Sequence, residues 1–359
     1  MIRLTLIGPV PPPYGGMAMQ TGQLQRLLTA QTDISVTLIP VNPPYRPAWA
    51  GKLPVLRALC RLVPYLWQLR RNLRHTDVVH VMANSGWAWH LFAAPAIWIA
   101  RYYHKPVIVN YRGGLAESFL QQQSRRVLPV LRRASCIVTP SRFLQQVFSR
   151  YQLPCQIIPN IIDTAIFNAE HKSYNWQAPH LVVTRNLEAI YDVATALRAF
   201  ALIKAAKPRA RLTIAGSGPE LHALQQLTTE LQLTDAVTFS GKLNRNQIAA
   251  LYAEADLMLN PSTADNMPNS LLEALASKVL VVSTDVGGIP FMVNHQQQVL
   301  LVLPAQPQLM ADAALLLLNT PQLALTLAEN GRQLINQFQP EQVIPDWCQL
   351  YHSLGADHA

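Results

Sequence analysis

Short apolar runs alternate with helical stretches along nearly the whole chain. In the first half the strand-like runs are residues 3–7, 35–40, 78–82, 107–111, 136–139 and 156–158. In the second half they are residues 181–184, 211–215, 237–240, 257–260, 279–283 and 299–303. Most are continuously apolar or β-branched, the pattern of strands buried on both faces of a parallel sheet. Helical stretches between them predict two doubly wound, Rossmann-like α/β domains. Such domains bind ligands at the C-terminal ends of their strands. The pattern lapses at 159–179, so the expected divisions are a first domain over 1–165 and a second over 166–340. Residues 341–354 read as a helix, within a 341–359 tail expected to pack back on the first domain. Pro345 suits that helix only near its first turn.

Composition narrows the classes. At 359 residues, half of them hydrophobic, the chain has enough apolar material for two ordered domains. Charged residues make up 14%, against about 25% in a typical soluble domain. Lys and Arg outnumber Asp and Glu by 29 to 20. A sparse but basic charge points to phosphates, nucleic acid or an anionic membrane, with a merely basic soluble protein as the plain alternative. Cys60, Cys136, Cys155 and Cys348 form no C-x-x-C pair, which argues against zinc or a disulfide framework and fits a reducing cytoplasm. The apolar start, residues 1–7, stops at Gly8-Pro9 and reads as a first strand, not a leader peptide. Residues 87–100 are apolar but too short for a bilayer, which needs about 20, and read as a core helix.

Candidate chemistry concentrates in 260–290, NPSTADNMPNSLLEALASKVLVVSTDVGGIP. A strand ends near Asn260, a turn-rich loop follows, and a helix opens around Pro268-Asn269-Ser270. Proline suits a first-turn position, and Asn or Ser is a good cap. Backbone N–H groups at Asn269, Ser270 and Leu271 would meet a diphosphate at the positive end of a helix dipole. Asp265 in the loop and Glu273 one turn into the helix can address one ligand together, and carboxylates accept hydrogen bonds from sugar hydroxyls. Gly287 and Gly288 follow the next strand and permit close backbone approach to a ligand. The Gly216-Ser217-Gly218 turn is a weaker signal of the same kind.

These pieces, in this order, resemble the retaining GT-B glycosyltransferases of family four, whose mark is two acidic residues separated by seven. RLTIAGSGPE at 211–220 resembles the family's strand and glycine loop. IIPNIIDTAIF at 157–167 resembles its interdomain crossover, and PPPYGG at 11–16, with Gly15 and Gly16, its first loop. The resemblance implies the GT-B fold, two Rossmann-like domains facing across a cleft. It also implies a nucleotide-sugar donor, a glycan or lipid-linked acceptor, retention of configuration, no metal and no cofactor. Glu273 would then bind the nucleotide ribose, Asp265 the donor sugar hydroxyls and Arg185 the diphosphate.

The chain departs from that family pattern. Asp265 stands where Glu is usual, one methylene shorter, and Lys278 and Phe291 replace a usual Gly and acid. The Lys expected about six positions after Arg185 is absent; that position holds Tyr191. No D-x-D triplet suggests a metal clamp. Cleaving the donor bond places negative charge on the departing diphosphate, so stabilisation falls to Arg185, the helix start and the backbone at Gly15-Gly16.

On the acceptor side, Arg112 in NYRGG (110–114) and His80 are candidates, each weighed against a surface arginine and a buried core histidine. Residues 53–74 combine apolar helical spacing with Arg57, Arg61, Arg70, Arg71 and Arg74 and with Tyr65 and Trp67, as a helix lying on anionic lipid would. Pro64 argues for a break there, and Arg125, Arg126, Arg132 and Arg133 add a second basic cluster. The expectation is a cytoplasmic enzyme of surface-polysaccharide synthesis in peripheral contact with the inner membrane face. No nucleic-acid motif accompanies the charge. Two other readings stay open: a sugar-nucleotide epimerase of the same fold, and a degenerate binding relative.

Overall fold

The computed structural model describes residues 1–12, 15–43, 54–168 and 172–356, and the backbone alone within 54–59. Pro13, Tyr14, Leu53, His171 and the side chains of Val55, Leu56, Arg57 and Leu59 therefore lie outside the described residues. The chain divides into two compact units, Met1–Ile161 with Pro340–Ala359, and Ile162–Gln339. The changeover falls at Ile161, four residues before the expected break at 165, and the return falls at Pro340.

The first unit is built on a parallel sheet of β1 (Ile2–Gly8), β2 (Ile34–Pro40), β3 (Val78–Ala83), β4 (Val107–Tyr111), β5 (Cys136–Thr139) and β6 (Gln156–Ile157). Its order is β2-β1-β3-β4-β5-β6. Side chains alternate between faces, so each strand feeds two cores. Val79, Val81, Val107 and Val109 pack beneath α2 (Pro54–Asn72), α3 (Ala94–Tyr102), α4 (Ala116–Leu131) and α5 (Arg142–Ser149). Leu4, Leu6, Val78, Met82 and Ile108 pack on the opposite side against α1 (Gly16–Thr29) and α12 (Pro340–Ala356). Each such fully buried aliphatic side chain stabilises the fold by about 1.5–3 kcal/mol.

The second unit repeats the plan with β7 (His180–Val183), β8 (Arg211–Ala215), β9 (Val237–Gly241), β10 (Leu257–Asn260), β11 (Leu280–Thr284) and β12 (Leu300–Val302). The order is β12-β11-β10-β7-β8-β9, again parallel. One face carries α6 (Val193–Ala206), α7 (Leu221–Glu230), α10 (Pro307–Asn319) and α11 (Pro321–Leu334). The other carries α8 (Arg245–Glu254) and α9 (Asn269–Ala276), joined by Ile162, Phe167, Ile335 and Phe338.

Three local expectations change. Residues 87–100 are helical throughout, as expected, but not as one regular, wholly buried α-helix: a π-turn, Trp89–Ala93, runs into α3, with the Ala94 N–H bonding to the Trp89 carbonyl. Pro95 brings no N–H to the ladder at that point, which favours the wider turn. Trp89 is buried, yet Trp87 and Trp98 are exposed. Pro64 does not break α2, which continues through it while Tyr65, Leu69 and Leu73 hold the chain to the sheet. Pro345 lies beyond the first turn of α12, where the buried Val343, Ile344, Trp347 and Tyr351 keep the helix in place.

Candidate active site

The site grows from the C-terminal ends of β7, β10 and β11. After Asn260 the chain leaves the sheet and is fixed at once. The Asn260 amide donates to Ser283 Oγ at 2.9 Å, and Thr284 Oγ1 donates to the Ser262 carbonyl at 2.6 Å. The loop then delivers Asp265 and ends at Pro268, which is itself the extended N-cap of α9 and supplies no capping side chain. The expected cap by Asn or Ser is therefore corrected, because Asn269 and Ser270 already belong to the helix. Leu271 is corrected as a ligand donor too. Its N–H bonds to the Pro268 carbonyl at 3.2 Å and its side chain fills the core.

Arg185 follows β7 and lies at the centre. Its Nη2 pairs with Asp265 Oδ2 and its Nη1 donates to Ser270 Oγ at 3.1 Å. Side-chain exposures of 9% and 14% put the Arg185–Asp265 pair largely out of solvent, where loss of one partner is costly. Arg185 Nε is buried without a hydrogen-bond partner among the described residues. The guanidinium lies 4.2 Å from the centre of the Tyr191 ring, in cation–π contact. Tyr191 closes a short 3₁₀ turn, Ala189–Tyr191, clamped on both sides. The Ile190 carbonyl accepts from the N–H (2.9 Å) and the hydroxyl (3.0 Å) of Thr263, tying the turn to the Asp265 loop. Asp192, left-handed at φ 41°, caps α6 by accepting from the Thr195 N–H at 3.4 Å, and accepts from Thr195 Oγ1 at 2.7 Å.

The glycines serve this cluster in a way the sequence did not suggest. Gly287 has φ 55°, and a Cβ there would collide with the Asp265 carbonyl oxygen. A Cβ at Gly288 would collide with the Asn266 carbonyl, while the Gly288 N–H bonds to the Asp265 carbonyl at 3.0 Å. Gly216 and Gly218 lie equally tight against the carbonyls of Arg185 and Leu187. All four permit close approach of protein backbone to protein backbone. They lock the loops that carry Arg185 and Asp265.

Glu273 lies one turn into α9. Burial pushes its carboxyl up to about 7, with Arg245 opposing the shift. Arg245 is held by Asp163 at 3.2 Å and lies over the Phe167 ring. Tyr252, on α8, ties the end of β7 to the start of α9. Its hydroxyl donates to the Ser270 carbonyl at 2.9 Å and so must accept from Thr184 Oγ1 at 2.6 Å. Sequence reading missed Ser270 as a partner of Arg185, and Tyr252 as the brace behind Ser270. The one signal for Tyr191 was its place six residues after Arg185. Among the described residues no group of three His, Cys, Asp or Glu side chains could hold a metal ion.

Within the first unit, Gly15 is the N-cap of α1, Gly16 opens that helix, and a Cβ at Gly15 would meet nothing within 4 Å. Arg112 follows β4, its Nε donating to Asn110 Oδ1 at 3.1 Å and its Nη1 to Asn160 Oδ1. Burial lowers the Arg112 pKa to about 10. It is part-buried and braced, unlike a solvated loop arginine.

His80 is corrected as an acceptor contact. It sits within β3, fully buried, with both ring nitrogens engaged. Arg112 fixes the Asn110 oxygen, so the Asn110 amide donates to His80 Nε2 (3.0 Å) and Nδ1–H donates to Tyr351 Oη (2.8 Å). Trp347 lies against the imidazole with ring centres 4.6 Å apart. Burial, then Arg112, lowers the His80 pKa to about 3, so the ring is neutral.

Comparison with known proteins places this architecture. The family model described as Glycosyl transferases group 1 matches residues 168–334, and that described as Glycosyltransferase Family 4 matches residues 14–166. N-acetyl-alpha-D-glucosaminyl L-malate synthase of Bacillus anthracis is 32% identical over 50% of this chain and 45% of its own. Alpha-monoglucosyldiacylglycerol synthase of Streptococcus pneumoniae is 26% identical over 61% of this chain and 53% of its own. These matches span about half the length of those relatives. Among solved structures, Anabaena HepE in complex with UDP superposes with a TM-score of 0.78 at 18% identity, covering 98% of this chain and 100% of that one. Sucrose-phosphate synthase from Thermosynechococcus elongatus gives 0.78 at 20% identity, covering 99% and 100%. The two family models together span nearly the whole chain, which belongs to the family-four, group 1 family of glycosyltransferases and has the GT-B fold.

Proposed function

We propose that the chain transfers a sugar from a nucleotide-sugar donor to a glycan or lipid-linked acceptor, with retention at the anomeric carbon and without a metal, in surface-polysaccharide synthesis. One observation carries the reading: a largely buried guanidinium, Arg185, meets Asp265 and Ser270 at the open end of α9, with Glu273 one turn further on. Charge that develops on a departing diphosphate is stabilised by a fixed cation and a helix N-terminus in a low-dielectric setting. Glu273 accepts the ribose hydroxyls, and Asp265 addresses the sugar while holding Arg185. The group 1 match over 168–334 and the UDP and UDP-glucose complexes of HepE support a nucleotide-sugar donor. The lipid product named for the Streptococcus relative supports a lipid-linked acceptor. Braced by Asn110 and Asn160, Arg112 is the acceptor-side cation in this reading. The setting is the cytoplasmic face of an anionic membrane, where such acceptors are met; no single helix among the described residues is long and apolar enough to cross one.

The test is a melting-temperature panel of nucleoside diphosphates and their sugars, since a ligand bound to the folded state stabilises it by mass action. One base family should shift the wild type, and Glu273→Ala should abolish the shift. A Glu273→Ala protein that shifts like wild type removes the ribose role. Turnover of the donor to a new nucleotide sugar without acceptor would make the chain an epimerase. Tight nucleotide binding with no sugar released in the presence of lipid extract would make it a degenerate relative.

A further inference from the structure

The basic excess of the chain is not spread over it. Residues 54–133 hold twelve Arg and Lys against two carboxylates, Asp77 and Glu117, while the rest holds seventeen against eighteen. All the cationic surplus therefore belongs to the segment that forms α2, α3 and α4. These helices lie side by side over one face of the first sheet, α2 beside α3 and α3 beside α4. Every tryptophan exposed among the described residues is here too: Trp67 at 59%, Trp87 at 77% and Trp98 at 47%, joined by Tyr102 at 77%. Apolar burial should have drawn these rings inward, as it did Trp89 next door.

The rings and the arginines are interleaved. Arg133, on the α4 side, lies 4.0 Å from the centre of the Trp98 ring on α3. Arg71 lies 5.3 Å from the Trp67 ring on α2. Arg74 reaches across to Tyr103, donating to its hydroxyl at 3.1 Å. On the near side His90 Nε2 meets Gln123 Oε1 at 2.6 Å, pinning the π-turn below Trp87 to α4 where that helix kinks. The exposed rings thus stand on a rigid three-helix surface.

We infer that the outward face of α2, α3 and α4 is a docking surface for an anionic lipid bilayer, with Trp67, Trp87, Trp98 and Tyr102 as interfacial anchors. This deepens the membrane setting of the proposed function and does not depend on donor chemistry. Indole and phenol rings favour the headgroup boundary because one end is apolar and the other polar. Arginine near an anionic surface is attracted to it, each contributing about fivefold in affinity before screening. A soluble polyanion would use the arginines and leave the indoles with nothing to bury them; a bilayer uses both.

The test is co-sedimentation of the full chain with vesicles of phosphatidylcholine containing roughly a quarter phosphatidylglycerol, and with phosphatidylcholine alone. The wild type should bind the anionic vesicles, shift its tryptophan emission to the blue, and leave the neutral ones. Trp87→Ser with Trp98→Ser should weaken anionic-vesicle binding by roughly tenfold or more at unchanged melting temperature and nucleotide affinity. Arg132→Gln with Arg133→Gln should weaken it and reduce its salt dependence. Wild-type binding that is absent, or unchanged by the tryptophan pair, overturns the inference. So does equally tight binding to a soluble polyanion such as heparin. None of these outcomes touches the donor reading, which stands or falls on the nucleotide panel.

Discussion

The Arg185 guanidinium rests on the face of Tyr191, 4.2 Å from the ring centre, beside Asp265 and Ser270. Tyr191 stands six residues after Arg185, where the family resemblance implied a lysine. A ring brings no charge of its own, but it holds the Arg185 guanidinium in place. The contact is worth about 0.5–2 kcal/mol in a partly desolvated place. Tyr191→Leu should therefore weaken nucleoside-diphosphate binding by roughly tenfold, and Tyr191→Phe by less than about twofold. Titration calorimetry on both variants separates ring from hydroxyl. If Phe fails as badly as Leu, the ring-face role is wrong.

Glu273 gives a pH signature. Its folded pKa of about 7 lies above the ordinary carboxyl value of 4.5, so folding disfavours the charged form. Wild-type stability should fall as pH rises through the window from 4.5 to about 7 and then level off. Glu273→Gln avoids that cost. The variant should be more stable than wild type by about 1–3 kcal/mol at pH 8 and equal to it at pH 4. Urea unfolding at the two pH values checks this. An equal gain at both would mean that packing, not ionisation, is responsible.

Gly287→Ala and Gly15→Ala form a matched pair. The first puts a Cβ at φ 55° against the Asp265 carbonyl; the second meets open space at the N-cap of α1. Gly287→Ala should cost about 1–3 kcal/mol and most of the nucleotide affinity, because the Asp265 loop must shift. Gly15→Ala should cost about 1 kcal/mol or less. Thermal melts with and without nucleotide report both. A silent Gly287→Ala would mean that the loop is looser than its contacts.

The fold was legible because the central strands of both sheets are buried on both faces. Such strands are nearly continuous apolar runs, and the edges of 107–111, 136–139, 211–215 and 257–260 agree to the residue with β4, β5, β8 and β10. The site was legible as a cluster of residue types, and its internal wiring was not. Gly216, Gly218, Gly287 and Gly288 signal close approach, but the sequence cannot say whether to a ligand or to the neighbouring loop. His80 looked like a strand-end ligand because its partner Tyr351 lies 271 residues away. Tyr191 looked like the loss of a lysine, since a cation–π contact leaves no spacing rule behind.

The chain Tyr351–His80–Asn110–Arg112 predicts acid sensitivity. Burial holds His80 at about 3, well below its ordinary 6.5, so the folded state excludes a proton that the unfolded chain accepts. This contribution is intact above pH 6.5 and lost as pH falls towards 3, by about 1.4 kcal/mol per unit. His80→Leu should flatten that part of the pH–stability curve. Tyr351→Phe should cost about 1–3 kcal/mol at neutral pH by stranding the Nδ1–H. A curve for His80→Leu as steep as wild type would assign the acid sensitivity elsewhere.

Because α12 belongs to the first unit but follows the whole second one, the ribosome releases a half-dressed sheet. Leu4, Leu6, Val78 and Ile108 wait for Val343, Trp347 and Tyr351, with about 180 residues of another core to be made in between. That interval leaves an apolar face open to chaperones and to self-association. Arrival of Trp347 over His80 then marks the moment of closure.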